Sequence, residues 1–408
     1  MAEQFARFVR GIDLGQEGDG IDRLHFGRTP MVCMFFSGFL VLIKYMQIRP
    51  MLCWVPYEFT NDNWVEYATY YCYVSNTFLP ASKDVFAYET INEIESGDVV
   101  WLRYYQWVPL IFISVAIIFY LPRLLWQGVL ESEGINITAM VRSVNGFESA
   151  LNSQNRDKQI SFLAKYMLAH FKSKKKTTGN SALKKCLGKV CFFSRSDASY
   201  VGRMYLLLKL LQVSVSIGVL FIMNLWLDGF HFYGINVLMS AFQGTYNQTH
   251  AFPLISICEM NKRDLGDDKT FRFQCLLTMN LFNEKIFVLF WFFLAYVAIV
   301  TIINAFFWFM KVLRTNNREV YIKTLLRLSK SAEIDFDNED HKTLLREFVQ
   351  KFLKPDGVFT FRLINANTTT VVMHEITGKL WNMWKEDKER RDQLLAVKTN
   401  KDEERLNH

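Results

Sequence analysis

The chain has 408 residues, of which half are hydrophobic and 15% aromatic, with 36 Phe, yet 21% are charged. That balance excludes an ordinary soluble globule and a wholly lipid-buried bundle. It predicts membrane spans joined to sizeable water-facing parts. The net charge of +7 is spread by segment in the manner of membrane topology, so no nucleic-acid partner is expected.

Residues 1–28 read as an amphipathic helix followed by a glycine hinge. Phe5, Phe8, Val9 and Ile12 fall at i, i+3, i+4 and i+7, with Glu3, Arg7 and Arg10 elsewhere on the wheel. These charges also interrupt any secretory signal core. Gly11, Gly15, Gly18 and Gly20 among acidic residues predict flexibility. No strand precedes them and no Gly-Lys-Ser/Thr follows, so they do not make a phosphate cradle. A helix on such a hinge either lies flat on the membrane or folds back into a pore; the residues alone lean to the flat arrangement.

Four apolar runs follow, each with about the 20 residues needed to cross a bilayer. They run from about Met31 to Met46, Trp107 to Trp126, Tyr205 to Leu227 and Ile286 to Met310. The corresponding segments are 29–48, 105–126, 205–227 and 286–310. Lys44 and Lys209 lie near span ends, where their stems can snorkel, and need no functional role. Tyr104, Tyr105 and Trp107 stand where a polar loop meets the second span, as interfacial aromatic anchors do. Pro109 is expected to remove a helical hydrogen bond and bend that span just inside the membrane.

Charge orients the spans. The segment 123–204 holds 14 Lys plus Arg against 5 acidic residues, and the tail from Lys311 holds 19 against 16. The segments 47–106 and 228–284 hold 3 against 8 and 4 against 6. The positive-inside tendency therefore places the middle loop (127–204) and both termini in the cytoplasm. Lys172, Lys174, Lys175, Lys176, Lys184, Lys185 and Lys189 carry most of that signal, as a solvated topology determinant.

The outer loops, 49–104 and 228–285, hold two cysteines each: Cys53 and Cys72, then Cys258 and Cys275. Outside the cell such cysteines can oxidise, and four allow three pairings. Cys33, Cys186 and Cys191 are expected to stay reduced, and no Cys/His pair near Cys186 and Cys191 completes a zinc site. Phe271, Phe273 and Cys275 alternate with Arg272 and Gln274, which predicts a short strand. Asn247-Gln248-Thr249 is a glycosylation sequon on the outer side, whereas those at Asn136 and Asn367 fall on the inner side and should be silent.

The cytoplasmic parts carry helical stripes: Met140, Val141, Val144, Phe147 and Leu151; Ile160, Leu163, Ala164, Met167 and Phe171; and Leu344, Leu345, Phe348, Val349 and Phe352. They predict helices packed as a cap, the last ending at a Pro355-Asp356-Gly357 turn. The charged run Lys385–His408 is expected to fray. No catalytic constellation, metal site or cofactor motif stands out, and His231 and His250 read as ordinary loop histidines. The expected fold is an all-α polytopic membrane protein: a four-transmembrane-helix subunit with a small disulfide-tied extracellular β element and a helical cytoplasmic cap.

Tyr104-Tyr105-Gln106-Trp107-Val108-Pro109 resembles the signature of the innexin family at the start of the second span. Cys53-Trp54-x-Pro56, His250-x-Phe252-Pro253 and Glu284-Lys285 are similar to innexin wording as well. The likeness covers residues 1–310 and is loose beyond. Connexins, with three cysteines per outer loop, fit poorly. The resemblance implies an oligomeric ring, an octamer or a mixed ring with other innexins, in the lipids of the plasma membrane. Such a ring docks with the apposed hemichannel of a neighbouring cell as a gap junction, or works unpaired, passing ions and small metabolites. It also implies the pairs Cys53 with Cys275 and Cys72 with Cys258. It moves the residue 1–12 helix into the pore funnel, where Phe5 and Phe8 grip the first span or a neighbouring subunit and Met1 and Gln4 line the lumen. The alternative from the residues is a four-span adhesion or scaffolding protein without a pore.

Overall fold

The computed structural model describes residues 17–45, 51–56, 61–75, 77–80, 99–134, 137, 139–141, 153–173, 199–228, 232–243, 252–264, 266–314, 316–329 and 339–406. Met1, Gln4, Phe5, Phe8, Asn136, Val144, Phe147, Leu151, Cys186, Cys191, His231, Asn247, His250 and the basic cluster beyond Lys172 lie outside the described residues.

Among the described residues, four helices are long and apolar enough to cross a membrane: Gly20–Ile43, Val108–Glu133, Tyr200–Leu227 and Thr278–Val312. The first starts well before Met31. It opens as α1 (Gly20–Arg23), widens through a π-type stretch (Leu24–Arg28) and continues as α2 (Thr29–Tyr45). The second is α4 (Val108–Glu133), the third α6 (Tyr200–Asp228) and the fourth α8 (Thr278–Leu313). Pro109 is the second residue of α4, where no intrahelical donor is lost, so the expected bend there is not needed. The proline inside this helix is Pro122.

The chain divides into two compact units, residues 1–28, 121–213 and 300–408, and residues 29–120 and 214–299. The second unit contains an antiparallel sheet. Its strands β1 (Leu52–Trp54), β2 (Thr77–Pro80), β3 (Val99–Leu102), β4 (Ile255–Asp264) and β5 (Asp267–Leu276) stand in the order β1-β5-β4-β2-β3. Both segments between spans one and two and between spans three and four thus supply strands. Along β5 the side chains alternate, with Phe273 and Cys275 buried and Arg272 and Gln274 exposed, because successive residues point to opposite faces. Gly266 takes φ +96° at the β4–β5 turn, a conformation that L side chains rarely adopt. Helix α3 (Asp62–Ser75) packs on the sheet through buried Ala68 and Cys72. A short apolar helix, α7 (Tyr233–Phe242), also belongs to this unit.

The first unit is helical. It adds α5 (Ser153–Ser173), α9 (Asn316–Arg327), α10 (Glu339–Glu347), a second π-type stretch (Phe348–Leu353), α11 (Lys354–Asn365) and α12 (Thr370–Leu406). The described members of the three stripes enter one core around Phe348, Trp381 and Trp384. Pro355 does not end a helix but starts α11, where its fixed φ suits the first turn. Helix α12 runs on to Leu406 through the charged stretch expected to fray. Part of its support is ionic: Asp387 pairs with Arg391 at 3.2 Å and with Lys172 of α5 at 2.6 Å. Lys354 takes φ +58° and ψ 178°, a region nearly reserved for glycine. Lys354→Gly is therefore expected to stabilise the unit by about 1 kcal/mol, relief of strain outweighing glycine's entropy cost. A lower thermal midpoint of the purified variant would contradict this.

Candidate functional site

Two sets of residues stand out, one in each unit. In the sheet unit, Cys53 bonds Cys275 with Cα atoms 4.0 Å apart, and Cys72 bonds Cys258 at 5.6 Å. The first bond joins directly opposed residues of β1 and β5. The second ties α3 to β4. Cys72, Cys258 and Cys275 are fully buried, so the sulfurs form the centre of the unit's small core. Cys33 is free and buried.

Within the stretch Tyr104–Pro109, Tyr104, Tyr105 and Gln106 tie elements of this unit together. Helix α3 ends at Ser75, which leaves its last carbonyls without intrahelical donors. The Tyr105 hydroxyl and Gln106 Nε2 both donate to the Tyr73 carbonyl, at 3.0 and 2.5 Å, and so cap that end. The Tyr104 hydroxyl accepts from Asn280 Nδ2 at 2.9 Å, and the same nitrogen donates to the Pro253 carbonyl at 2.7 Å. The Tyr104 ring meets Trp226 and Phe252 edge-on, at 5.4 and 5.7 Å. Burial pushes both phenols up, Tyr105 to about 12, so each remains a neutral partner at physiological pH. Trp107 is 60% exposed, whereas Val108 is buried. The stretch thus connects α3, the start of α4 and the start of α8.

In the helical unit, the residues around the expected hinge are held tightly. Asp19 caps α1 by accepting from the amides of Ile21 and Asp22, and Asp22 accepts from the amide of Asp19, which completes a capping box. A Cβ on Gly18 would fall 2.7 Å from that of Asp22, so this glycine serves close approach rather than flexibility. Lys209 is not a snorkelling residue. It is fully buried, with Nζ 2.6 Å from Asp22 Oδ1 and 3.2 Å from Asp19 Oδ2. The Tyr205 hydroxyl donates to Asp22 at 2.7 Å, and Asn304 Nδ2 and Trp308 Nε1 donate to Asp19 at 2.8 and 2.5 Å.

Further contacts hold the flanks. Trp126 Nε1 donates to the Glu17 carbonyl at 3.0 Å, and Gln127 Nε2 to its carboxylate at 2.8 Å. Asn367 Nδ2 donates to the Gly18 carbonyl at 2.8 Å, which also shows the third sequon engaged inside the fold. His25 Nε2 lies 3.1 Å from the Gln212 carbonyl. The pattern Asp19-x-x-Asp22 ahead of an apolar run was the readable signal for the cap; nothing local marked Lys209 as its partner. Removing one member of such a buried pair costs about 3–5 kcal/mol, because the other charge is left without compensation.

The innexin family model matches residues 18–384. The chain is 28% identical to innexin eat-5 of Caenorhabditis elegans over 374 residues, 89% of this chain and 86% of that protein. It is 29% identical to innexin-12 of the same organism, over 90% of this chain and 88% of that one. With innexin unc-9, also of Caenorhabditis elegans, it shares 28% identity over 94% of this chain and 97% of the other. A match spanning both stapled loops, all four spans and most of the helical tail identifies the chain as a member of the innexin family.

Proposed function

We propose that this chain is a subunit of an oligomeric large-pore channel in the plasma membrane. It serves as a gap junction between apposed cells or as an unpaired hemichannel, and passes ions and small metabolites. The observation that carries this reading is the joining of two separate inter-span segments into one five-stranded sheet by two disulfides. A docking face must keep its shape while loops of a second ring press on it, and a cross-linked sheet does so at little entropic cost on binding. On this reading the sheet and α3 lie outside the cell, and α5, α9 to α12 and both termini lie in the cytoplasm. Eight subunits, alone or mixed with other innexins, surround the pore in contact with lipid, and residues 1–12, with Met1, Gln4, Phe5 and Phe8, form its funnel. A glycan on Asn247 would keep part of the population unpaired.

The test is deletion of residues 2–12, read as dye uptake in single cells and junctional current in paired cells. The deletion should change unitary conductance and selectivity while surface expression persists. Conductance equal to that of the full chain would remove the N-terminal segment from the pore. Absence of any current from well-expressed full chain would favour an adhesion role instead.

A further inference from the structure

We propose that Asp19, Asp22 and Lys209 form a positioning lock that fixes the root of the N-terminal segment, an inference that rests on the channel reading above. The oxygens of the two carboxylates divide their work. Asp19 Oδ1 accepts the amides of Ile21 and Asp22, which leaves Oδ2 for Lys209, Asn304 and Trp308. Asp22 Oδ2 accepts the Asp19 amide and the Tyr205 hydroxyl, which leaves Oδ1 for Lys209. The cap therefore orients both acids before either meets the lysine. One slip along the helix would take a carboxylate off Lys209 and strand a charge in a dry site, so the lock defines register as well as holding the segment.

The partners come from the chain stretches of α4, α6, α8 and the α11–α12 connection, and they converge on residues 17–25. An apolar cluster of equal volume would pack these helices at least as stably. What the polar cluster adds is one allowed position for the segment from which residues 1–16 depart. The π-type stretch Leu24–Arg28 follows at once, and such a widened turn lets the helix beyond it keep its own register. The Asn367 contact with Gly18 further connects the C-terminal part of the chain to the same root. Lys209 acts through the N-terminal segment and is a positioning residue, not a pore-lining one.

The lock is tested on full-length protein in nanodiscs by amide hydrogen exchange, and in cells by single-channel recording. Lys209→Met strands two carboxylates. The pair Lys209→Met with Asp22→Asn restores the original net charge of the cluster without the ion pair. Exchange in residues 17–25 should quicken at least about 10-fold in the single variant, the equivalent of one lost charge-assisted hydrogen bond, and less in the double. Unitary conductance of the single variant should move toward that of the residue 2–12 deletion. If Lys209→Met does not fold, Tyr205→Phe removes one hydroxyl from Asp22 without altering charge and should give the same local pattern, weaker.

Unchanged exchange in residues 17–25 would overturn the lock. So would acceleration spread evenly over the core around Phe348 and Trp381, which would mark a general stabilising role. Local acceleration with wild-type conductance would overturn positioning of the channel segment. Local acceleration in a protein that conducts in no form would support the lock and remove the channel reading.

Discussion

Replacement of both Cys72 and Cys258 by alanine is expected to abolish junctional coupling and to lower the stability of the sheet unit by about 2–5 kcal/mol. With Cys53–Cys275 still in place, the bond closes a loop through the stretches 53–72 and 258–275, so its loss returns the conformational freedom of an ordinary disulfide loop to the unfolded chain. Its location makes the effect local as well. Cys72 lies one residue before Tyr73, whose carbonyl receives Tyr105 and Gln106, so release of α3 also weakens the signature contacts. Alanine avoids placing a new hydroxyl in a dry core. The measurement is junctional current between paired cells beside surface biotinylation of the same cells. Normal coupling in the double variant would show that α3 keeps its place without the bond. Loss of coupling with surface expression retained would separate the defect from trafficking.

Gly234→Ala is expected to be the most disruptive single methyl group in the sheet unit. An added Cβ would stand 2.1 Å from Trp291 Cε3 and 2.5 Å from Cδ2, far inside van der Waals contact. The ring cannot easily move aside. It is buried, and its Nε1 donates to Asn224 Oδ1 at 2.7 Å, an oxygen that also accepts the Tyr233 amide at 3.2 Å. Alanine gains about 0.5–1 kcal/mol of helix propensity, but overpacking of this kind costs about 1–3 kcal/mol or more, so destabilisation wins. The thermal midpoint of purified protein should fall, and Gly234→Ala with Trp291→Leu should recover part of the loss. A midpoint at or above that of the parent chain would refute the tight approach.

The spans were legible because a run of about 20 apolar residues has few other uses. Their ends were not. Helix α8 begins at Thr278 and the first apolar helix at Gly20, because polar residues there find partners within their own unit, which hydropathy cannot report. The alternation Phe271, Phe273 and Cys275 revealed β5, but β1, β2 and β3 are short, and β1 and β2 reach the sheet through β5 and β4 of the other inter-span segment. Lys209 shows the limit most clearly. From sequence it is a lysine near a span end; its two acidic partners lie 187 and 190 residues away, and only the fold brings them together. Pro109 erred in the opposite direction, since its effect depends on whether the helix has already begun.

The same separations set an order of events during synthesis. Asp19 and Asp22 emerge from the ribosome early, yet Lys209 follows 190 residues after Asp19, Asn304 and Trp308 285 and 289 after it, and Asn367 349 after Gly18. Residues 17–25 therefore acquire their full set of neighbours only once the last span and the start of the tail have been made. A truncated chain keeps the two acids with part of their partners missing. Closure around residues 17–25 thus waits on residues made up to 349 positions later.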